Sequence, residues 1–189
     1  MPAHPPPLLS HFGLYVRELE PMVLFYSGLF ALEVTDRGRS RFFSSDLVFL
    51  SARPEHHHQL VLSSGRPEGA RFSTVMQLSF QCAAIDDLRR IAGLAPGLGA
   101  SRVTAVNHGN AFSLYLRDPE DNMVEAYFTT PFHVAQPHAE PLDLARADPE
   151  LLAETEAACR RDPTFLTAEQ WRARFSGRLA ATGPSWAHP

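Results

Sequence analysis

The order strand, helix, three strands occurs twice along this chain, the copies displaced by about 66 residues, and this repeat restricts the fold more than any other feature. The first copy opens with His11-Phe12-Gly13-Leu14-Tyr15-Val16, whose alternation predicts a strand. It continues into Leu19 to Phe30, where Met22, Phe25, Tyr26 and Leu29 recur at helical spacing. Three further strands are predicted: Leu32 to Thr35, Arg41-Phe42-Phe43 running on through Leu50, and His58 to Leu62. The second copy predicts a strand from Gln77 to Cys82, a helix from Asp86 to about Leu94, and strands over 101–104, 112–116 and 123–128. Arg117-Asp118-Pro119-Glu120-Asp121-Asn122 supplies the turn before the last strand, and Ser63 to Ala70 reads as a linker between the copies.

After Phe128 the pattern changes to an extended stretch, 131–144, and then to two helices predicted over about 149–161 and 168–180. Asp148-Pro149 offers an N-cap followed by Pro in the first turn, and Thr167-Ala168-Glu169-Gln170 resembles a capping box. The last residues, Thr182 to Pro189, are expected to fray. The expected division is a paired-module domain over 8–130, with modules 8–63 and 74–130, and an arm with two helices over 131–181.

Composition excludes several functions. No apolar run approaches the roughly 20 residues of a membrane span. The N-terminus lacks the basic and apolar regions of a secretory signal, so a cytoplasmic protein is expected. Its two cysteines, Cys82 and Cys159, fall in different predicted elements and fit reduced thiols. A net charge of -4, with 17 basic residues that are all Arg and form no aromatic-interleaved stripe, argues against nucleic-acid binding. Without lysine there is no Schiff-base chemistry.

Superposing the copies brings His11 onto Gln77 and His58 onto Glu125. If a pseudo-twofold relates the copies, these four side chains are expected to converge on one point. One or two His with one Glu, leaving open positions, is a ligand set for Fe(II) or Mn(II), and Zn(II) or Ni(II) tolerates it. A single His or Gln at a strand start is more often a hydrogen-bonded surface residue; four at matched positions carry the metal reading. In His56-His57-His58, alternation puts His58 on one face with Leu60 and Leu62, and His57 on the other. Phe12, Phe43, Phe49, Phe80 and Phe112 are candidates for an apolar pocket, most of them expected in the core.

The segment from Asn107-His108-Gly109-Asn110 through Phe112-Ser113-Leu114-Tyr115-Leu116 to Asp118-Pro119-Glu120-Asp121-Asn122-Met123-Val124-Glu125 resembles the second-module signature of the vicinal oxygen chelate superfamily. Within it the chain resembles single-domain proteins similar to biphenyl-2,3-diol 1,2-dioxygenases. The opening His11 to Val16 with Phe25-Tyr26 fits the same family, as do Gln136-Pro137 and Pro141-Leu142-Asp143-Leu144; the likeness spans about residues 8–145.

The resemblance implies an α+β fold: two paired βαβββ modules forming a cupped mixed sheet around a metal site, with a C-terminal helical extension. It implies an extradiol-type ring-cleaving dioxygenase acting on a catechol-like diol with dioxygen, using Fe(II) foremost. His11, Gln77 and Glu125 match the metal ligands, His58 the acid–base residue, Tyr115 a tyrosine that hydrogen-bonds substrate, and His108 a further active-site histidine. Gln77 stands where ring-cleaving members place His, while some glyoxalase-type members use Gln with Glu and His. A second ligand set, His11, His58 and Glu125 with Gln77 as a weak fourth, therefore stays open. So do two other functions: an isomerase or lyase using Zn(II) or Ni(II), and a non-catalytic small-molecule binder. A homodimer or higher homo-oligomer is expected.

Overall fold

The computed structural model describes residues 7–70 and 73–182; residues 1–6 and 183–189, which hold much of the N-terminal segment and the expected frayed end, lie outside the described residues. The chain divides into two compact units. One contains Ser10–Ala105 and Ser113–Phe128, and the other includes Val106–Phe112 and the chain from Thr129. Among the described residues no helix is long and apolar enough to cross a membrane.

The first module of the paired-module unit runs β1 (Phe12–Val16), α1 (Leu19–Phe30), β2 (Glu33–Arg39), β3 (Asp46–Ser51) and β4 (Leu60–Ser64). Its sheet has the order β1-β4-β3-β2, with β1 parallel to β4. The helix forms over the predicted span because Met22, Phe25, Tyr26 and Leu29 make one apolar stripe, and all four are fully buried. It stops at Ala31, which takes the left-handed conformation at φ 54° and returns its N–H to Ser27 O.

The second module repeats the arrangement with β5 (Leu78–Gln81), α2 (Ile85–Leu94), a 3-10 turn (Ala95–Leu98), β6 (Ser101–Asn107), β7 (Ala111–Arg117) and β8 (Met123–Thr129). These strands stand in the order β6-β7-β8-β5, with β5 parallel to β8. At the start of α2 the Asp87 carboxylate accepts the backbone N–H of Ala84. The fold class expected from the sequence is therefore the one observed: α+β, mixed sheets built from two βαβββ modules, and helices at the C-terminal end.

Several strand boundaries differ from expectation, most of them by one to three residues. The strand predicted from Arg41 begins at Asp46, because Ser40 Oγ accepts the N–H groups of Phe42 and Phe43 and turns the chain there, leaving these rings 91% and 73% exposed. Within β2 the strand instead runs on to Arg39. The strand predicted from His58 begins at Leu60; Gln59 before it already bonds to both neighbouring strands through its backbone, and its side-chain oxygen accepts from Ala52 N.

Polar contacts join the two modules. Glu120 Oε1 accepts the N–H groups of Arg17 (2.5 Å) and Glu18 (2.9 Å), while Oε2 lies 3.3 Å from Arg66 Nη1. Tyr26 donates its hydroxyl to Asp118 Oδ2 at 3.0 Å. Phe30 stacks on Phe80 at 3.9 Å between ring centres.

In the second unit, β9 (Phe132–His133) pairs with β11 (Leu166–Thr167), and β10 (Glu140–Pro141) pairs with Val106 and Asn107. Helix α3 covers Asp148–Cys159 and α4 covers Ala168–Thr182. Asp148 lies inside the first turn and Ala147 takes the N-cap position, so this cap is not the expected one. The Thr167–Gln170 capping box is complete: Gln170 N donates to Thr167 Oγ1 at 3.1 Å and Thr167 N to Gln170 Oε1 at 2.9 Å.

Candidate metal centre

Glu125 sits in the middle of β8, with Val124 and Ala126 buried on the opposite face of the strand. The residue is 8% exposed, and its carboxylate accepts from Gln77 Nε2 at 2.7 Å, Ser79 Oγ at 2.6 Å and Ser113 Oγ at 2.7 Å. Tyr115 also hydrogen-bonds it, and its phenol is pushed up to about 12, first by burial and then by that carboxylate. The strand period explains the grouping. Ser79 lies directly opposite Glu125 in the parallel β5/β8 ladder, Gln77 is two residues before Ser79, and Ser113 and Tyr115 are two apart on β7.

These partners are hydroxyls and an amide, so among the described residues the buried carboxylate is held by neutral donors. A cation completes such a site, because an uncompensated charge away from water is costly. Gln77 spends its amide hydrogens on Glu125 and on Ser79 Oγ at 2.9 Å, so its carbonyl oxygen is not needed for these bonds and is a donor type that a divalent metal accepts. The donor set on this side fits a divalent metal.

In the first module, His11 immediately precedes β1 and His58 lies two residues before β4. Their rings meet edge to face with centres 4.5 Å apart. Ser10 Oγ lies 3.0 Å from His11 Nδ1. The His58 ring is held below the ordinary imidazole range, by partial burial first and then by His11 and His57, which favours the neutral form with a free lone pair. His57 Nδ1 is 3.0 Å from His58 Nδ1, and His57 Nε2 is 2.7 Å from Asp36 Oδ2.

The ladders correct one element of the sequence reading. Leu60 lies opposite Phe12, and Val124 opposite Leu78. Glu125 faces Ser79, two residues after Gln77, and the matching pair in the first module is Gly13 and Val61. The counterpart of Glu125 is therefore Val61; His58 sits three residues earlier, in the loop, because the first module reaches its last strand through a differently sized connection. His11 and Gln77 do match, each immediately before the first strand of its module. The structure thus brings the four side chains into two pairs, His11 with His58 and Gln77 with Glu125. Among the described residues, no three His, Cys, Asp or Glu side chains gather as a metal-binding group, and the two pairs are not joined by a direct contact into either expected ligand set.

His108 belongs to the other unit, where its Nδ1 lies 2.5 Å from His138 O and its carbonyl accepts from Gln136 Nε2. The sequence reading missed Ser79 and Ser113 as partners of Glu125. Alternation from Gln77 and Tyr115 was the available signal, since residues two apart share a strand face. Of the five phenylalanines, only Phe112 is fully buried; Phe12, Phe49 and Phe80 are half-buried, Phe80 stacking on Phe30, so fewer lie in the core than expected. Phe43 instead lines an open cleft of about 430 Å³ with Tyr15, Ser44, Ser45, Ser64, Gly65 and Pro67.

No family model matches the chain, and no curated protein matches it. Among solved structures it is similar to a glyoxylase/bleomycin resistance protein/dioxygenase domain from Frankia sp. EAN1pec, with 22% identity and a TM-score of 0.53 over 64% of this chain and 95% of that one. It is also similar to the fosfomycin resistance protein FosX from Listeria monocytogenes, solved with Mn(II) and sulfate, with 17% identity and a TM-score of 0.50 over 64% of this chain and 91% of that one. At such identities the likeness is one of fold.

Proposed function

We propose that this chain is a metal-dependent enzyme of the vicinal oxygen chelate superfamily, and that it performs extradiol-type cleavage of a catechol-like aromatic diol with dioxygen. The observation that carries the metal reading is the buried Glu125 carboxylate, held by four neutral donors and lacking a cationic partner among them. His11, Gln77 and Glu125 would hold the ion, Fe(II) for ring cleavage, with Mn(II), Zn(II) or Ni(II) as other occupants. When bound, the metal would bring the diol and dioxygen together and pass electron density from one to the other. Both oxygen atoms end in the ring-opened product, so no external reductant is needed.

The protein's own groups then have distinct tasks. His58, kept neutral, accepts a diol proton and returns it later, the task for which imidazole is suited. Tyr115, its phenol pushed up to about 12, stays protonated at neutral pH; its single hydroxyl hydrogen, held by Glu125 here, would turn to a substrate oxygen once that carboxylate is engaged by the metal. Ser79 and Ser113 orient the Glu125 carboxylate, as partners of metal ligands commonly do.

A second reading, an isomerase or lyase acting beside a metal-chelated oxygen, draws on one observation: Gln77 and not His contacts Glu125. Oxygen uptake decides between them. Protein reconstituted anaerobically with Fe(II) is mixed with substituted catechols, with Glu125→Ala as control. Uptake that depends on substrate and yields a coloured ring-opened product, absent in the control, supports ring cleavage. Stoichiometric metal without uptake favours the second reading, and no metal binding removes both.

A further inference from the structure

Two side chains outside the proposed ligand set connect to His58 in a continuous line. Asp36 Oδ2 lies 2.7 Å from His57 Nε2, and His57 Nδ1 lies 3.0 Å from His58 Nδ1. An ionised carboxylate only accepts, so the His57 nitrogen facing Asp36 carries a proton, and in a neutral ring its other nitrogen is an acceptor. The His58 nitrogen that faces it must then donate, which places the His58 proton on Nδ1 and its lone pair on Nε2.

The backbone supports the same line. The β2/β3 ladder slips between Val34 and Asp36, so that Asp36 falls opposite Phe49. Such a bulge re-aims a side chain relative to a regular strand. The Phe49 ring packs edge-on against both imidazoles, its centre 5.8 Å from that of His57 and 5.2 Å from that of His58. One strand pair therefore fixes the carboxylate and both rings, although the histidines themselves lie in the loop before β4.

We infer that Asp36 and His57 are positioning residues for His58: they hold it as the Nδ1–H tautomer, with Nε2 free to accept a proton from substrate. The inference rests on the reading of His58 as the acid–base residue and adds the groups that set its tautomer. His57 acts only through His58, and Asp36 only through His57.

Long-range 1H–15N correlation spectra of the imidazole rings test this in the metal-free protein, at a pH about two units above the reference imidazole value of about 6.5. His58→Gln assigns the signals. The expected pattern is Nδ1–H at His58 in the parent protein, conversion to the Nε2–H form favoured by a free side chain in Asp36→Ala and His57→Phe, and retention in His57→Gln, whose carbonyl oxygen accepts in the same place. Amide spectra verify that each variant is folded. An Nε2–H pattern in the parent, or an Nδ1–H pattern that survives both Asp36→Ala and His57→Phe, overturns the inference. With Fe(II) and substrate, Asp36→Ala lowers kcat about 10- to 100-fold with KM unchanged. Turnover by a parent protein showing Nε2–H overturns this inference alone. An Nδ1–H parent that binds no metal and turns over nothing overturns the proposed function instead.

Discussion

Replacing Glu120 by Ala removes the carboxylate that joins the two modules, and the structure gives the size of the loss. The side chains of Arg66 and Glu120 are 7% and 8% exposed and approach to 3.3 Å. Taking one partner from a buried pair costs about 3–5 kcal/mol, because the remaining charge is stranded away from water. Arg66 keeps some compensation, since its Nη1 also contacts Glu120 O at 3.0 Å and Asn122 Oδ1 at 3.1 Å. The N–H groups of Arg17 and Glu18 belong to exposed residues that water reaches. The lower end, about 3 kcal/mol, is therefore expected, roughly a hundredfold in the folding constant. Urea unfolding followed by circular dichroism measures it, and a thermal midpoint about 6–12 °C lower accompanies it. The double variant Glu120→Leu with Arg66→Met recovers most of the loss, because an apolar pair replaces a buried ionic one at little cost. A single-variant loss below about 1 kcal/mol, the range of an exposed pair, would refute the assignment of this contact as a buried junction.

Three further outcomes follow from the geometry. Tyr26→Phe removes the buried hydroxyl that donates to Asp118 and should cost about 1.5–3 kcal/mol by the same unfolding assay. Tyr115→Phe should leave the phenolate absorbance change up to about pH 11 unaltered, because Tyr115 titrates at about 12; a loss of signal there would show its phenol free of Glu125. His133 is held below the ordinary imidazole range by burial, so the unfolded chain binds its proton more readily. Stability should rise as pH increases through the shifted value to about 6.5, and unfolding measured across that window in His133→Gln should show a flatter slope.

The two modules were legible in the sequence because they rest on local periodicities. Met22, Phe25, Tyr26 and Leu29 could bury one helix face only as they do, and the alternation around His11 and Gln77 located the first strand of each module within one residue. Gln77 and Glu125 could likewise be singled out one by one, and their contact follows from two parallel neighbouring strands. The place of His58 could not. A spacing count treats every connection as equal, whereas hydrogen bonds set the register of β4, and these start the strand at Leu60 and make Val61 the counterpart of Glu125. Alternation likewise set His57 apart from His58, but that rule holds only inside a strand, and both lie in a loop where their rings meet at 3.0 Å.

What the sequence by itself determined was the repeated βαβββ order, the apolar faces that drive each module together, and the residue types able to bind a metal or move a proton. Which of them meet was decided by tertiary structure. Ser79 and Ser113 reach Glu125 through strand pairing, and Asp36 reaches His57 because a bulge in β2 turns it there. The physical reason is that patterning acts over a few neighbouring residues, while a site is assembled by ladders and bulges between segments far apart in the chain.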